Sequence, residues 1–317
     1  MNTILIAGAG QLGSRHLQGV KISSHELDIW VFDLSEDSLR IAEERYNQIE
    51  TSVSKTVHFV SDLKSVPNNI DIAIIATGSK PRATIIKEIL ALKNVKFLIL
   101  EKFLFTRLYE YDEINALLKD KGVKTWVNCP RRMYDSYEYI KSLIDSTKPI
   151  EMSFKGGNWG MCCNSIHFID IFMYLNEESD FTFNTEDLLP EVIDSKREGY
   201  VEILGNLLFL TPKSSKLSLS STLNFEGIPR IEIKNGTLLI DYNENSGDIK
   251  INGEILKFPI HYQSKLTGIL VDSLINTGDC KLTAYATSAT FHKNFLSKIG
   301  PFINKIKGWT SDSCPIT

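Results

Sequence analysis

Three groups of residues in this chain combine types and spacings suited to chemistry. The first is Gly8-x-Gly10-x-x-Gly13 in "TILIAGAGQLGSRHLQG", directly after an apolar run. Gly8 permits a tight turn, Gly10 lets the backbone approach a phosphate, and Gly13 lets a helix pack closely on a strand. The amides of Gln11, Leu12 and Gly13 open that helix, and its dipole favours an anion there. The second group is Glu101-Lys102, which ends the apolar run in "LILEKFLF". A lysine in a dry cleft serves proton transfer or polarises a carbonyl. The third is His167-x-x-Asp170 in "CCNSIHFIDIF". Three residues apart on a helix, the two side chains share one side. Histidine exchanges protons near neutral pH and suits an acid or base role. Taken alone, a histidine among apolar residues is more often a satisfied core residue, and an aspartate such as Asp170 more often a cap or an ion-pair partner than a catalytic group.

The elements that must position these groups follow from the pattern of apolar residues. "TILIAGAG" has the form of a buried parallel strand, and "QLGSRHLQGVKIS" carries helical spacing. "LDIWVFDLS" is a second strand ending in Asp33, and Ser35 is the N-cap of the helix that follows. "TVHFVSDL", "IDIAIIATG", "VKFLILEK" and "VKTWVNCP" read as further strands, with helices over "PRATIIKEILALK" and "LYEYDEINALLKDKG". This alternation predicts an α/β doubly wound Rossmann domain over residues 1–125, with a parallel sheet between helices. The carboxyl ends of its strands line the ligand crevice, where the glycine loop, Asp33, Ala76-Thr77 and Glu101-Lys102 all fall. Asp33 lies about 20 residues after the loop, where a carboxylate accepts hydrogen bonds from ribose hydroxyls and repels a 2′-phosphate. No Arg or Lys follows Asp33 within the next few residues, which favours NAD over NADP.

Beyond about residue 125 the rhythm changes. "DSYEYIKSLID" and "NSIHFIDIFMYLN" are helical, and "PIEMSFKGGNW" is a strand. From Glu191 to Pro259 the chain alternates apolar and polar residues, with Asn-Gly turns at 235–236 and 252–253. Residues 126–317 are therefore expected to form an α+β domain with a large antiparallel sheet, one face of it wet. Two helices close this domain, and the tail "SDSCPIT" reads as an exposed end, with a return to the active site as the alternative.

Composition narrows the function classes. The 317 residues are 43% hydrophobic and 23% charged, with a formal net charge of -4. That balance argues against nucleic acid and anionic membrane as partners. No apolar run reaches the roughly 20 residues that cross a bilayer, and the first residues read as a strand instead of a signal peptide. The five cysteines are scattered, and Cys162-Cys163 has no C-x-x-C partner, so no metal site is expected. Reduced thiols in a cytoplasm account for them.

In this order, Gly8-x-Gly10-x-x-Gly13, Asp33, Ala76–Gly78, Glu101-Lys102 and His167-x-x-Asp170, followed by the strand-rich second half, resemble the glucose–fructose oxidoreductase, inositol dehydrogenase and MocA family. The resemblance implies hydride transfer between NAD and a carbon of a sugar, amino sugar or nucleotide-sugar. The short pocket signature and the polar strand faces resemble members that act on amino sugars or nucleotide-linked sugars in surface-polysaccharide pathways. It also implies Lys102 and His167 as the catalytic pair, with Glu101 and Thr77 along the cofactor and Asp170 anchoring its helix. Asn128, Arg131, Arg132 and Asn164 are implied on the substrate side. Trp159 is either a stacking face for a sugar ring or a core side chain. A homo-dimer or tetramer through the C-terminal sheet is implied as well. The chain departs from the family's pattern at Phe103, where proline is usual, at Gly78, again for proline, and at Cys163, where many members carry an Asp. A dinucleotide-binding sensor or scaffold without catalysis is the alternative those departures leave.

Overall fold

The run of short apolar strands and amphipathic helices folds as the alternation predicts. The computed structural model describes all residues from Met1 to Thr317. These form two compact units, one of residues 1–105, 109–130 and 261–286, the other of 106–108, 131–260 and 287–317.

The first unit holds a seven-stranded sheet. Its strands are β1 (Asn2–Ala7), β2 (Leu27–Phe32), β3 (Lys55–Val60), β4 (Asn69–Ile75), β5 (Asn94–Glu101), β6 (Lys124–Asn128) and β16 (Thr283–Ala284). They lie in the order β16-β6-β5-β4-β1-β2-β3. The pairs from β1 to β6 are parallel, and β16 runs antiparallel to β6. Ile4–Ile6, Ile72–Ile75 and Leu98–Leu100 are buried at every position, as strands covered on both faces must be. After β3 the chain crosses to the other side of β1, so the strand order reverses between β1 and β4. Ligands of such sheets bind outside the carboxyl ends at that reversal.

The expected boundary after residue 125 falls inside β6, and the observed one lies at 130. β6 completes the sheet by pairing with β5, with Asn128 opposite Glu101. The chain also returns to this unit late, through α7 (Gln263–Thr277), which packs on α1 (Gln11–Lys21). Gly19 and Gly268 permit that approach. A Cβ on Gly19 would stand 2.6 Å from Thr267 Cβ, and one on Gly268 would stand 2.7 Å from Gly19 O.

The second unit is built on a nine-stranded sheet. Its strands are β7 (Ile150–Gly157), β8 (Thr182–Phe183), β9 (Leu188–Asp194), β10 (Val201–Leu210), β11 (Lys216–Thr222), β12 (Arg230–Asn235), β13 (Leu238–Asn243), β14 (Asp248–Ile251) and β15 (Glu254–Lys257). Their order is β15-β14-β13-β12-β7-β11-β10-β8, with β9 beside β10. The sheet is mostly antiparallel and contains one parallel pair, β7 with β11, because β7 inserts between β11 and β12. Helix α6 (Met161–Asn176) lies on β10 and β11. Alternation along the strands sends Leu207, Phe209, Leu217, Leu219 and Ile231 into the core and leaves Leu208, Leu210 and Leu239 exposed. The Asn252-Gly253 turn joins β14 to β15 with φ of +47° and +103°, the left-handed pair that Asn-Gly supplies at low strain.

The tail is not an exposed end. Cys314 and Ile316 are buried, the Cys314 amide donates to Thr106 O at 2.8 Å, and the Val201 amide donates to Pro315 O at 2.9 Å. Alternating apolar residues at 314 and 316 behave as a short strand would, and the backbone pairs satisfy its polar groups. No helix is long and apolar enough to cross a membrane.

Candidate active site

Each unit carries part of the candidate constellation. In the first unit the loop after β1 is held from three sides. Gly8 has φ +98°, and a Cβ there would lie 2.8 Å from Thr77 N. Gly13 abuts the turn so closely that a Cβ would fall 1.7 Å from Gly8 O. Nothing lies within 4 Å of a Cβ on Gly10, so the backbone there is open to a ligand. Gly10 is also the N-cap of α1 and offers no side-chain cap, which leaves the first amides of the helix for an anion. Asp33 follows β2, and its carboxylate accepts from the Ala9 amide at 2.7 Å and the Ser35 amide at 2.9 Å. The acid thus shapes the loop while keeping lone pairs for ribose hydroxyls. Ser35 caps α2 (Glu36–Asn47) as its sequence predicts, accepting from the Ser38 amide.

The buried Thr77 Oγ1 and Asn128 Oδ1 have no hydrogen-bond partner within the protein. Buried polar atoms normally find one, so these two suit a bound polar group. The open Gly10, the uncapped helix start, Asp33 and these atoms together fit a dinucleotide.

Lys102 stands half-buried at the end of β5, and the turn after it is fixed from α3 (Ser79–Leu92). Arg82, only 1% exposed, donates through its guanidinium to the carbonyls of Phe103, Leu104 and Thr77. One buried cation therefore ties the turn after β5 to the turn after β4. Glu101, which the resemblance places along the cofactor, is buried. Its carboxylate accepts from His16 Nε2 at 2.8 Å and from Asn128 Nδ2. Burial works to raise its pKa, but the hydrogen bonds and charge of His16, the bond from Asn128 and the charge of Arg82 hold it below the ordinary value. His16 continues to Thr267 Oγ1 at 2.9 Å, and Gln263 accepts from Asn128 at 2.9 Å. The network joins β5, β6, α1 and α7 behind Lys102.

In the second unit a pocket of about 340 Å³ opens beside α6, lined by Arg131, Trp159, Asn164, His167, Phe168 and Glu244 among others. α6 begins at Gly160, whose φ is +78°, and the buried Glu202 serves as its cap by accepting from the Cys162 amide at 2.7 Å. The helix then brings Asn164, His167 and Phe168 to one face, as positions i, i+3 and i+4 do. Trp159 is half-buried, with its indole N–H donating to Ser220 O at 2.8 Å and its ring edge-on to Phe154 and Phe168. Its carbonyl accepts from Asn164 Nδ2 at 2.9 Å. Arg131 lies over the Phe168 ring, 4.5 Å from its centre, and pairs with Glu244 through Nε at 2.8 Å and Nη2 at 2.6 Å.

Arg132 and Asp170 do not line this pocket. They pair with each other at 2.8 Å and 3.1 Å, with Asp170 fully buried, so that the aspartate anchors α6 to the segment after β6. Asn128 belongs to the first unit and is committed to Glu101 and Gln263. The sequence reading missed Arg82, His16, Glu202 and Glu244. A buried arginine near the start of an apolar helix and a histidine inside a glycine-loop helix were the available signals for the first two.

Residues 2–129 match the family model GFO_IDH_MocA, an oxidoreductase family with an NAD-binding Rossmann fold. No match was found among the curated proteins. Solved structures similar to the whole chain include an oxidoreductase from Agrobacterium radiobacter in complex with NAD+, L-tartaric acid and magnesium. It has 12% identity, covers 97% of this chain and 99% of its own, and gives a TM-score of 0.73. UDP-N-acetylglucosamine 3-dehydrogenase GnnA from Acidithiobacillus ferrooxidans has 12% identity, coverage of 94% and 97%, and a TM-score of 0.71. GenD2 from gentamicin A biosynthesis, in complex with NAD, has 11% identity, coverage of 96% and 95%, and a TM-score of 0.70. At such identities the likeness is one of fold. Residues 2–129 thus match the NAD-binding Rossmann domain of the Gfo/Idh/MocA oxidoreductases, and the chain as a whole shares the fold of the solved oxidoreductases it resembles.

Proposed function

We propose that this protein is an NAD-dependent oxidoreductase acting on a carbon of a sugar, amino sugar or nucleotide-linked sugar. The observation that carries the reading is the pairing of a dinucleotide cradle in one unit with an aromatic pocket holding a histidine in the other. NAD, when bound, supplies the acceptor for a hydride. The glycine loop and the start of α1 hold its pyrophosphate, Asp33 takes the ribose hydroxyls, and the charge of Asp33 disfavours a 2′-phosphate. Thr77 and Asn128 offer hydrogen bonds beside the Lys102 turn. Lys102 in the first unit and His167 in the second are the candidates for the group that takes the hydroxyl proton. Phe154, Trp159 and Phe168 give the apolar wall that the C–H face of a sugar ring needs.

Similarity to GnnA, a UDP-N-acetylglucosamine 3-dehydrogenase, supports amino sugars and nucleotide-sugars of surface-polysaccharide pathways as the first substrates to screen. None of the five cysteines forms a disulfide, which suits a reducing cytoplasm. The open face of the nine-stranded sheet suits a second copy. It carries a hollow of about 950 Å³ where Leu208 and Leu239 sit among Lys216, Lys234, Glu151 and Glu232. Mixed charges around apolar side chains are self-complementary across a two-fold axis.

The test is a screen of sugars and nucleotide-sugars followed at the nicotinamide absorbance band, repeated with Lys102→Met and His167→Gln. Each substitution should lower kcat by about a hundredfold or more while NADH still binds. Full turnover in both variants contradicts the assignment. NADH binding with no turnover of any sugar favours the sensor or scaffold reading.

A further inference from the structure

The pocket of the second unit contains a charge arrangement that the proton-transfer reading leaves unused. Arg131 is the one arginine that lines it, and its side chain is 15% exposed. An arginine beside an aromatic wall invites a carboxylate or phosphate, which its planar fork matches in a bidentate way. Here the fork is already filled by Glu244, itself 21% exposed, which takes Arg131 Nε and Nη2 on its two oxygens. Glu244 Oε1 also accepts from the Tyr137 hydroxyl at 2.6 Å. Tyr137 is fully buried, and burial first and the Glu244 charge second push its pKa well above the ordinary value, so it stays a donor at neutral pH. Glu244 is thereby held by three hydrogen bonds from two side chains, and Arg131 is held between a carboxylate and the face of Phe168.

A pair so fixed has no net charge to offer. A ligand carboxylate entering the pocket meets a negative group that cannot turn away, and it gains no unpaired cation in return. A neutral hydroxyl loses nothing, because the guanidinium has five N–H donors and the pair uses those on Nε and Nη2. The walls of Phe154, Trp159, Phe168 and Tyr242 exclude water and sharpen the difference, since Coulomb energies grow as the surroundings become less polar.

We propose that Glu244 sets the charge specificity of this pocket, neutralising Arg131 so that the pocket takes a sugar ring without a carboxylate and rejects the matching hexuronate. The proposal rests on the reading of the pocket as a sugar site. It makes Glu244 the point at which the specificity reverses. Glu244→Gln keeps the shape and leaves Arg131 uncompensated, so a ligand carboxylate can take over the fork.

Trp159 lines the pocket, so a ligand-dependent change in tryptophan fluorescence that Trp159→Phe abolishes reads its occupancy. With NADH bound, the protein is titrated with three matched pairs: glucose and glucuronate, N-acetylglucosamine and its 6-carboxylate, UDP-glucose and UDP-glucuronate. The unsubstituted protein should bind the neutral member of each responding pair more tightly. Glu244→Gln should shift the ratio of affinities toward the carboxylate by about tenfold or more, the scale of one hydrogen-bonded charge contact. The double variant Arg131→Gln, Glu244→Gln retains the neutral pocket and should lose that gain. Its recovery of the original preference separates a charge effect from a damaged fold. An unchanged ratio in Glu244→Gln, or a preference of the unsubstituted protein for the carboxylates, overturns the proposal. If NADH binds and none of the six sugars changes the fluorescence, the sugar reading falls and the proposal falls with it.

Discussion

Lys102 and His167 are the residues proposed for proton transfer, and the residues behind each decide whether it can serve. Glu101 is the clearest case. It stands beside a lysine at a strand end that lines the expected ligand crevice, and it is buried against His16 and Asn128. Its pKa is lower in the folded protein than the ordinary 4.5, so the ionised form is the one that stabilises the fold. That contribution is complete above the unfolded value and is lost as the pH falls through the folded one. Glu101→Gln should therefore lower the Tm at pH 7 and flatten its decline in acid, a change that calorimetry between about pH 6 and pH 3 reads directly. An acid limb as steep as that of the unsubstituted protein contradicts the role given to this carboxylate. Asp170 differs from His167 in the same helix: its partner is Arg132, so its work is to fix the helix that carries the histidine.

Arg82 joins the turns that follow β4 and β5. Three carbonyls depend on a guanidinium that is 1% exposed. Arg82→Leu leaves those carbonyls buried without a donor and should cost about 2–4 kcal/mol, seen as a lower midpoint in denaturant unfolding. Arg82→Lys should recover only part of this, since an ammonium cannot span the same fork. A loss below about 0.5 kcal/mol for Arg82→Leu, the size of an ordinary surface change, shows that the clamp is dispensable. The elements themselves were legible in the sequence. The glycine loop between an apolar strand and a helix, Asp33 at the next strand end and the Ser35 cap are local patterns, and each has the conformation its residues favour. Arg131 with Glu244 was not legible, because 113 residues separate the partners and no local spacing relates them. The bond from His16 to Thr267 spans 251 residues and depends on α7 returning to the first unit. The buried tail escaped notice for the opposite reason: two apolar residues in seven are too few to mark a strand.

Over the whole molecule, burial alone explains one sheet and leaves part of the other open. The central strands β1, β4 and β5 of the first sheet are apolar on both faces, whereas those of the second sheet alternate and expose Leu208, Leu210 and Leu239. A second copy on that face predicts a dimer in sedimentation equilibrium, and Leu239→Lys should weaken it by placing two like charges across the two-fold axis. A monomer at all concentrations contradicts this packing. The central claim is narrower: the first unit holds a dinucleotide through the Gly8–Gly13 loop, with Asp33 selecting a ribose that bears no phosphate. Calorimetric titration of the purified protein with NADH and then with NADPH tests it most directly. The account predicts tight binding of NADH and binding of NADPH weaker by about tenfold or more, the size of one unfavourable charge contact. Equal affinity for the two removes Asp33 from the role given to it, and binding of neither contradicts the account at its base.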